Sequence, residues 1–140
     1  MNQVVARFQD GRLMKGLTND FLPNKDYFHL VPEGAKAADK PLEIKMAELK
    51  ALFFVKDVVG DSTHQEGTTV APGDTRTRSF AGIELQFRDG ERVIGLTARF
   101  PPVRPFFFVL PADTGSNNIR ILVNRAAVAR MGQPSAPPAG

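Results

Sequence analysis

The chain of 140 residues contains one 25-residue pattern twice, and this repeat constrains its fold more than any other feature of the sequence. Residues 8–32 read FQDGRLMKGLTNDFLPNKDYFHLVP, and residues 87–111 read FRDGERVIGLTARFPPVRPFFFVLP. The two segments align without a gap at an offset of 79, and ten of the 25 positions are identical. Such similarity indicates two copies of one structural unit. Units of about 50 to 60 residues are marginally stable alone, so we expect the copies to pack against each other or against a second chain.

Each copy begins with the pattern of a β-hairpin. Residues 4–9 and 83–88 carry an apolar side chain at every second position, which predicts a half-buried strand. Asp10-Gly11 and Asp89-Gly90 follow these strands. An Asp-Gly pair between two such runs predicts a type I′ turn, in which both central residues have positive φ.

A glycine interrupts the second strand of each copy, at Gly16 and Gly95. A glycine inside a strand indicates a bulge or a sharp bend, which can curl a short sheet into a small barrel. A third strand, a loop, a short fourth strand, one helical turn and a fifth strand complete each copy. We therefore predict an all-β chain with a first barrel at residues 1–57, a linker at 58–81, a second barrel at 82–131 and a disordered tail at 132–140.

This succession of elements resembles the Sm-like and SH3-like small β-barrels, and residues 4–31 resemble the first Sm motif. The resemblance implies two tandem five-stranded SH3/Sm-like small barrels related by internal duplication. The Asp and Asn with which Sm proteins hold a uridine base would fall at residues 21–24, which read FLPN here, and the Arg-Gly pair of the second Sm motif is missing. Their RNA-binding residues are therefore not carried over.

Residues 4–131 also resemble an uncharacterised bacterial family of short domains of unknown function, on the pattern DGR, GLT, PN and FHL in the first copy and PAD and GSNN in the second. Its members occur alone or beside signalling domains. The resemblance implies no catalytic residue, ligand or cofactor.

Composition excludes several classes of protein. The chain has no cysteine, which removes disulfides, thiolate nucleophiles and sulfur metal sites. Its longest apolar runs, at residues 51–55 and 105–111, are too short to span a bilayer. The N-terminus lacks the order of a signal peptide. We expect a soluble cytoplasmic protein that does not bind membranes.

The net charge of +3 is unevenly distributed. Residues 1–82 contain eleven Lys or Arg and eleven Asp or Glu, whereas residues 83–140 contain seven Arg, no Lys and four acidic residues. One interpretation is an ordinary solvated surface. The other is an Arg-rich face that binds phosphate, nucleic acid or an acidic protein, since Arg makes bidentate contacts that Lys cannot.

No grouping of residues in the sequence predicts catalysis. His29 lies in the middle of a predicted strand, where a lone His is typical of a packed, hydrogen-bonded residue. The serines lie outside the strand-turn-helix context of a nucleophile elbow, and the glycines do not form a phosphate-binding loop. We predict that the protein is not an enzyme and uses neither a metal nor a cofactor.

The segment ARFPPVRPFFF, at residues 98–108, is the first candidate binding site. Arg99 and Arg104 flank a pair of prolines, and Phe106 and Phe108 follow them. These four residues predict a surface that binds a partner protein by aromatic anchors or strand addition. The alternative is that the phenylalanines fill the seam between the two barrels, or a contact between two copies of the chain.

The second candidate is the polar loop DTGSNNIR, at residues 113–120. Asn117, Asn118 and Arg120 could hold a small anionic ligand together with the amides of the loop. Turn formation is the alternative, because Gly and Asn are common turn residues.

Three functions remain open from the sequence. The first is a non-enzymatic adapter that binds another protein through its second half, in signalling or regulation. The second is an Sm-like protein that binds nucleic acid with its Arg-rich half. The third is a sensor of a nucleotide second messenger that uses Arg99, Arg104 and Arg120. A second copy of the chain is a further candidate partner, as a homodimer.

Overall fold

The computed structural model describes residues 2–36, 39–57 and 73–134, and these contain ten β-strands and three short 3-10 helices. In chain order the strands are β1 (Asn2–Phe8), β2 (Leu13–Thr18), β3 (Tyr27–Pro32), β4 (Leu42–Lys45), β5 (Leu49–Val55), β6 (Ala81–Phe87), β7 (Arg92–Thr97), β8 (Phe106–Pro111), β9 (Asn118–Asn124) and β10 (Val128–Gly132). The 3-10 helices are Met46–Glu48, Thr75–Arg78 and Arg125–Ala127. The predicted all-β class is confirmed.

The strands form one antiparallel sheet with the order β10-β6-β7-β8-β9-β5-β1-β2-β3-β4. The halves of the chain join where β5 pairs with β9, and β4 and β10 are the edges. The sheet is not closed, so the pairing does not confirm two separate barrels. The finer prediction of two duplicated barrels stays a prediction.

The predicted domain limits can be compared with the described ranges. Residues 58–72 of the predicted linker and 135–140 of the predicted tail lie outside them. The rest of the linker contains the 3-10 helix Thr75–Arg78, and β6 begins at Ala81. Gly132, the first residue of the predicted tail, is the last residue of β10.

The strands of the two halves pair in the same register when the residue numbers of the first half are shifted by 79, the offset of the sequence repeat. His29 lies opposite Glu43 in β3–β4, and Phe108 lies opposite Leu122 in β8–β9. The same holds for three further comparisons of register: β1–β2 with β6–β7, β2–β3 with β7–β8, and β1–β5 with β6–β10. Any residue of one half can therefore be compared directly with its counterpart in the other.

The hairpin after β1 is not the predicted type I′ turn. Gly11 has φ of 94°, but no non-glycine residue in the described ranges has positive φ, so Asp10 does not adopt that conformation. Gly11 N donates to Phe8 O at 3.1 Å, and Phe8 N donates to Arg12 O at 2.9 Å. These bonds define a three-residue loop with glycine at its left-handed position. Gly90, with φ of 96°, occupies the same place in the second half.

Gly16 and Gly95 allow close contact between neighbouring strands. A Cβ atom at Gly16 would overlap the carbonyl oxygen of Val31, and one at Gly95 would overlap that of Leu110. The registers of β1–β2 and β6–β7 run through both glycines without a shift. The approach of the next strand, and not the predicted bulge, therefore explains these glycines.

β5 is buried along its entire length and separates two hydrophobic cores. Leu52 and Phe54 belong to the first core, which the strands of the first half largely form. Ala51, Phe53 and Val55 belong to the second core, together with residues of β6, β8 and β9. Since side chains alternate between the faces of a strand, one strand supplies both cores.

Lys50 is a buried cation on β5, and it fixes the hairpin between β6 and β7. Its Nζ lies 2.7 Å from Asp89 Oδ2 and 3.0 Å from Glu91 Oε1, and 4.7 Å from the centre of the Phe87 ring. The Lys50 ammonium, together with the backbone N–H of Glu91, holds the pKa of Asp89 below its ordinary value. The ion pair therefore joins the first half of the chain to the second.

We expect Gly95→Ala to destabilise the protein by about 1–3 kcal/mol, because the new methyl group must displace the backbone of β8. Gly132→Ala is the matched control, since a Cβ at that position has no atom within 4 Å. Urea denaturation of both variants measures the difference. Equal stability of the two variants would contradict the close contact of β7 with β8.

We expect Lys50→Met to make stability less dependent on pH. The lowered pKa of Asp89 contributes stability that is present above its unfolded pKa of about 3.9 and is lost as pH falls through the folded pKa. Without Lys50 the pKa of Asp89 returns towards its ordinary value, and this contribution shrinks.

The measurement is urea denaturation of the wild type and the variant from pH 7 to pH 3. At pH 7 the variant should lose no more than about 1 kcal/mol, because both carboxylates are partly exposed. Lys45→Met, which changes an exposed lysine of β4, should follow the wild-type pH curve. Parallel curves for Lys50→Met and the wild type would refute the proposed coupling.

Candidate functional site

The four residues predicted to bind a partner, Arg99, Arg104, Phe106 and Phe108, line one groove of about 480 Å³. Residues 98–105, which connect β7 to β8, form one wall of this groove, and β8 forms the other. Further lining residues come from β7, from the segment before β6 and from the turn after β2; they are Leu96, Thr97, Phe80 and Pro23.

The groove exists because β7 and β8 separate early. They pair only at Gly95 with Pro111 and at Leu96 with Leu110. The first part of β8, Phe106 to Val109, pairs with β9 on its other side. Pro101, Pro102 and Pro105 occur in the connecting loop and lack the N–H that a paired strand needs, so the loop leaves β8 open.

The groove is apolar inside and positively charged at its rim. Leu96, Pro102, Val103 and Phe106 line it, and Val103 is 72% exposed. No acidic residue of the described ranges lines it. Arg99 and Arg104 are exposed, and within the described part of the chain neither forms an ion pair. An exposed apolar surface beside unpaired cations suits an acidic partner with an apolar anchor.

Phe106 and Phe108 also contribute to the seam between the halves, as the alternative interpretation expects. Both are half-buried and pack against the first core. The Phe108 ring lies 6.1 Å from that of Phe54 and 6.4 Å from that of Phe21. The rings therefore anchor β8 to the first half, while the same residues line the groove.

The three residues predicted to bind a small ligand lie outside the groove and take part in local contacts. Asn117 Nδ2 donates to Asp57 O at 2.9 Å, and its Oδ1 accepts from Asp57 N at 3.2 Å. Asn118 N donates to Ser116 Oγ at 3.0 Å. The guanidinium of Arg120 stacks on Phe54 and Phe108, at 4.4 and 4.5 Å. These contacts hold β9 to β5 and to β8.

A half-buried ion pair fixes the segment that carries Phe80. Arg76 donates to the Asp74 carboxylate through Nε and Nη2, at 3.1 and 2.7 Å. It also donates to the O atom of Pro111, the last residue of β8, at 2.9 Å, and to the O atom of the following Ala112 at 3.2 Å. The hydrogen bonds from Arg76 lower the pKa of Asp74. This anchor could not be predicted from the sequence, because the acceptors on the far side of it are backbone carbonyls.

The described residues contain neither a metal-binding cluster nor a helix that could span a membrane. No group of three or more His, Asp or Glu among them could hold a metal ion. None of their helices has the length and apolar character needed to cross a membrane.

Comparison with known proteins gives a family and no closer relative. Neither the curated proteins nor the solved structures contain a match to this chain. Residues 1–133 match the model of one protein family whose function is unknown, which confirms the predicted membership of an uncharacterised family. Because this match covers nearly the whole chain, the protein belongs to the family of unknown function DUF6982.

Proposed function

We propose that the chain is a non-enzymatic protein-interaction module, and that it binds a partner protein in the groove between residues 98–105 and β8. One observation carries this proposal: an exposed apolar wall meets two arginines that form no ion pair with any described residue, in a groove whose described lining contains no acidic side chain. Val103 and Phe106 offer a surface for an apolar anchor of the partner. Arg99 and Arg104 offer bidentate contacts to its carboxylates.

The comparison between the halves supports a single binding site. The counterparts of Arg99, Arg104, Phe106 and Phe108 in the first half are Asp20, Lys25, Tyr27 and His29. Asn24 replaces the exposed Val103. The first half is therefore polar where the second half is apolar and cationic. This difference supports an adapter in which the first half is a scaffold and the second half binds the partner.

We interpret the two halves as duplicated SH3/Sm-like units, and the coincidence of their strand registers at the offset of 79 supports this. The lack of cysteine is compatible with the proposed cytoplasmic location. The resemblance to bacterial domains found beside signalling domains supports a regulatory role.

Single-stranded nucleic acid is the second candidate ligand, because arginines beside aromatic rings also suit phosphates and stacked bases. Salt distinguishes the two candidates, since binding to phosphates weakens steeply as salt increases. The nucleotide-sensor hypothesis has less support, because Arg120 is already stacked on two phenylalanine rings.

Selection from a displayed peptide library on the purified full chain tests the proposal. We expect the enriched peptides to carry Asp or Glu beside a large apolar residue. Arg104→Glu and Val103→Asp should each weaken their binding at least tenfold, because they reverse the charge of the rim or place a charge on the apolar wall. Lys25→Glu, at the position 79 residues before Arg104, is the matched control and should leave the affinity unchanged.

Two results would contradict protein binding in this groove. One is the absence of enriched peptides, and the other is equal binding by Arg104→Glu, Val103→Asp and the wild type. Strong binding of single-stranded RNA, lost in Arg104→Glu and weakened by salt, would favour the nucleic-acid hypothesis instead.

A further inference from the structure

In the first half of the chain, a carboxylate lies beside the part of β3 that pairs with β4 on one side and with no strand on the other. Asp20 follows β2 and lies beside the first part of β3. Its Oδ1 accepts the backbone N–H of His29 at 2.9 Å and the hydroxyl of Thr18 at 3.3 Å. Its Oδ2 lies 2.7 Å from Nδ1 of the His29 ring. One aspartate thus satisfies the backbone of β3 where no neighbouring strand does.

These contacts favour the charged form of Asp20. The backbone N–H of His29 and then its ring lower the pKa of this carboxyl below the ordinary value. The position is therefore built for a carboxylate.

The second half has the same position without the carboxylate. At the offset of 79, Thr97 corresponds to Thr18, Phe108 to His29, and Arg99 to Asp20. The guanidinium of Arg99 has only donors, and no side chain in the described ranges accepts the N–H of Phe108. The Thr97 hydroxyl is buried and donates to Arg99 O at the long distance of 3.4 Å.

The N–H of Phe108 points towards the groove. Arg125 N donates to Pro105 O at 2.8 Å, so these two residues form a hydrogen-bonded pair directly beside Phe106 and Asn124, where the β8–β9 ladder begins. Bonded and non-bonded pairs alternate along an antiparallel ladder, so Phe108 and Leu122, three positions further, are a non-bonded pair. The Phe108 N–H is therefore directed away from β9, as the His29 N–H is directed towards Asp20.

We propose that a carboxylate from an Asp or Glu residue of the partner protein occupies this position in the second half. It accepts the N–H of Phe108 and the hydroxyl of Thr97 and forms an ion pair with Arg99. All three residues line the groove. The inference rests on the proposed function and specifies the chemistry of the partner. The first half supplies this carboxylate itself, whereas the second half recruits it from another molecule.

Amide NMR spectra of the full chain, titrated with sodium acetate against sodium chloride at equal ionic strength and pH 7, test the site. We expect the Phe108 amide to shift with acetate and the His29 amide to stay in place, because Asp20 already occupies its position. Asp20→Ala should make the His29 amide respond to acetate. Arg99→Asp should shift the Phe108 amide without any additive and remove its response to acetate.

A wild-type Phe108 amide that ignores acetate would overturn the inference, and so would an unchanged response in Arg99→Asp. Selected peptides separate the inference from the proposed function. Replacement of the peptide's Asp or Glu by Asn or Gln should weaken binding at least tenfold. If the amide peptide binds in the groove as tightly as the acid, the interaction module stands and the carboxylate site falls. If acetate shifts Phe108 but no peptide binds, the carboxylate site stands and the interaction module falls.

Discussion

Burial of β5 on both faces is the constraint on which the rest of the structure depends. Leu52 and Phe54 complete the first core, and Ala51, Phe53 and Val55 complete the second. Each half alone is small and would bury too little apolar surface for high stability. Sharing one strand lets each core use side chains that the other half positions. It also fixes β9, and through β9 the strand β8 that forms one wall of the groove.

Much of the sheet could be predicted from the sequence, because the repeat and the alternation of apolar residues specify strands within each half. The pairing of β5 with β9 could not be predicted, since a comparison of the two copies contains no information about how they contact each other. The fully apolar segment ALFFV at the end of β5 was its one signal, because burial on both faces removes the alternation. The turn type was wrong because Asp-Gly also suits a three-residue loop, where only the glycine needs positive φ.

The candidate site was predictable in its residues and not in its shape. Arg99, Arg104, Phe106 and Phe108 are adjacent in sequence, so their composition alone suggested a surface. Val103 and Phe80 were missed, because the place of Val103 depends on the path of a loop and that of Phe80 on the hydrogen bonds from Arg76 to backbone carbonyls. For Arg120, sequence could not show that neighbouring rings already engage the guanidinium.

The two sheet edges support the proposal that a partner binds in the groove and not along an edge strand. The counterparts of Ala51, Phe53 and Val5 on the outer surface of the second half are Arg130, Gly132 and Glu84. If a further copy of the unit packed on β10 in the way that the second half packs on β5, it would bury the charged groups of Arg130 and Glu84. Burial of charged groups is unfavourable unless they form an ion pair. At the other edge, β4 has four residues, of which Glu43 and Lys45 are charged and exposed. Short, charged edges discourage strand addition. The open side of β8 differs, since its first part lies in an apolar groove beside cations. The proposed partner, with its own carboxylate, would satisfy both the free N–H and the positive charge.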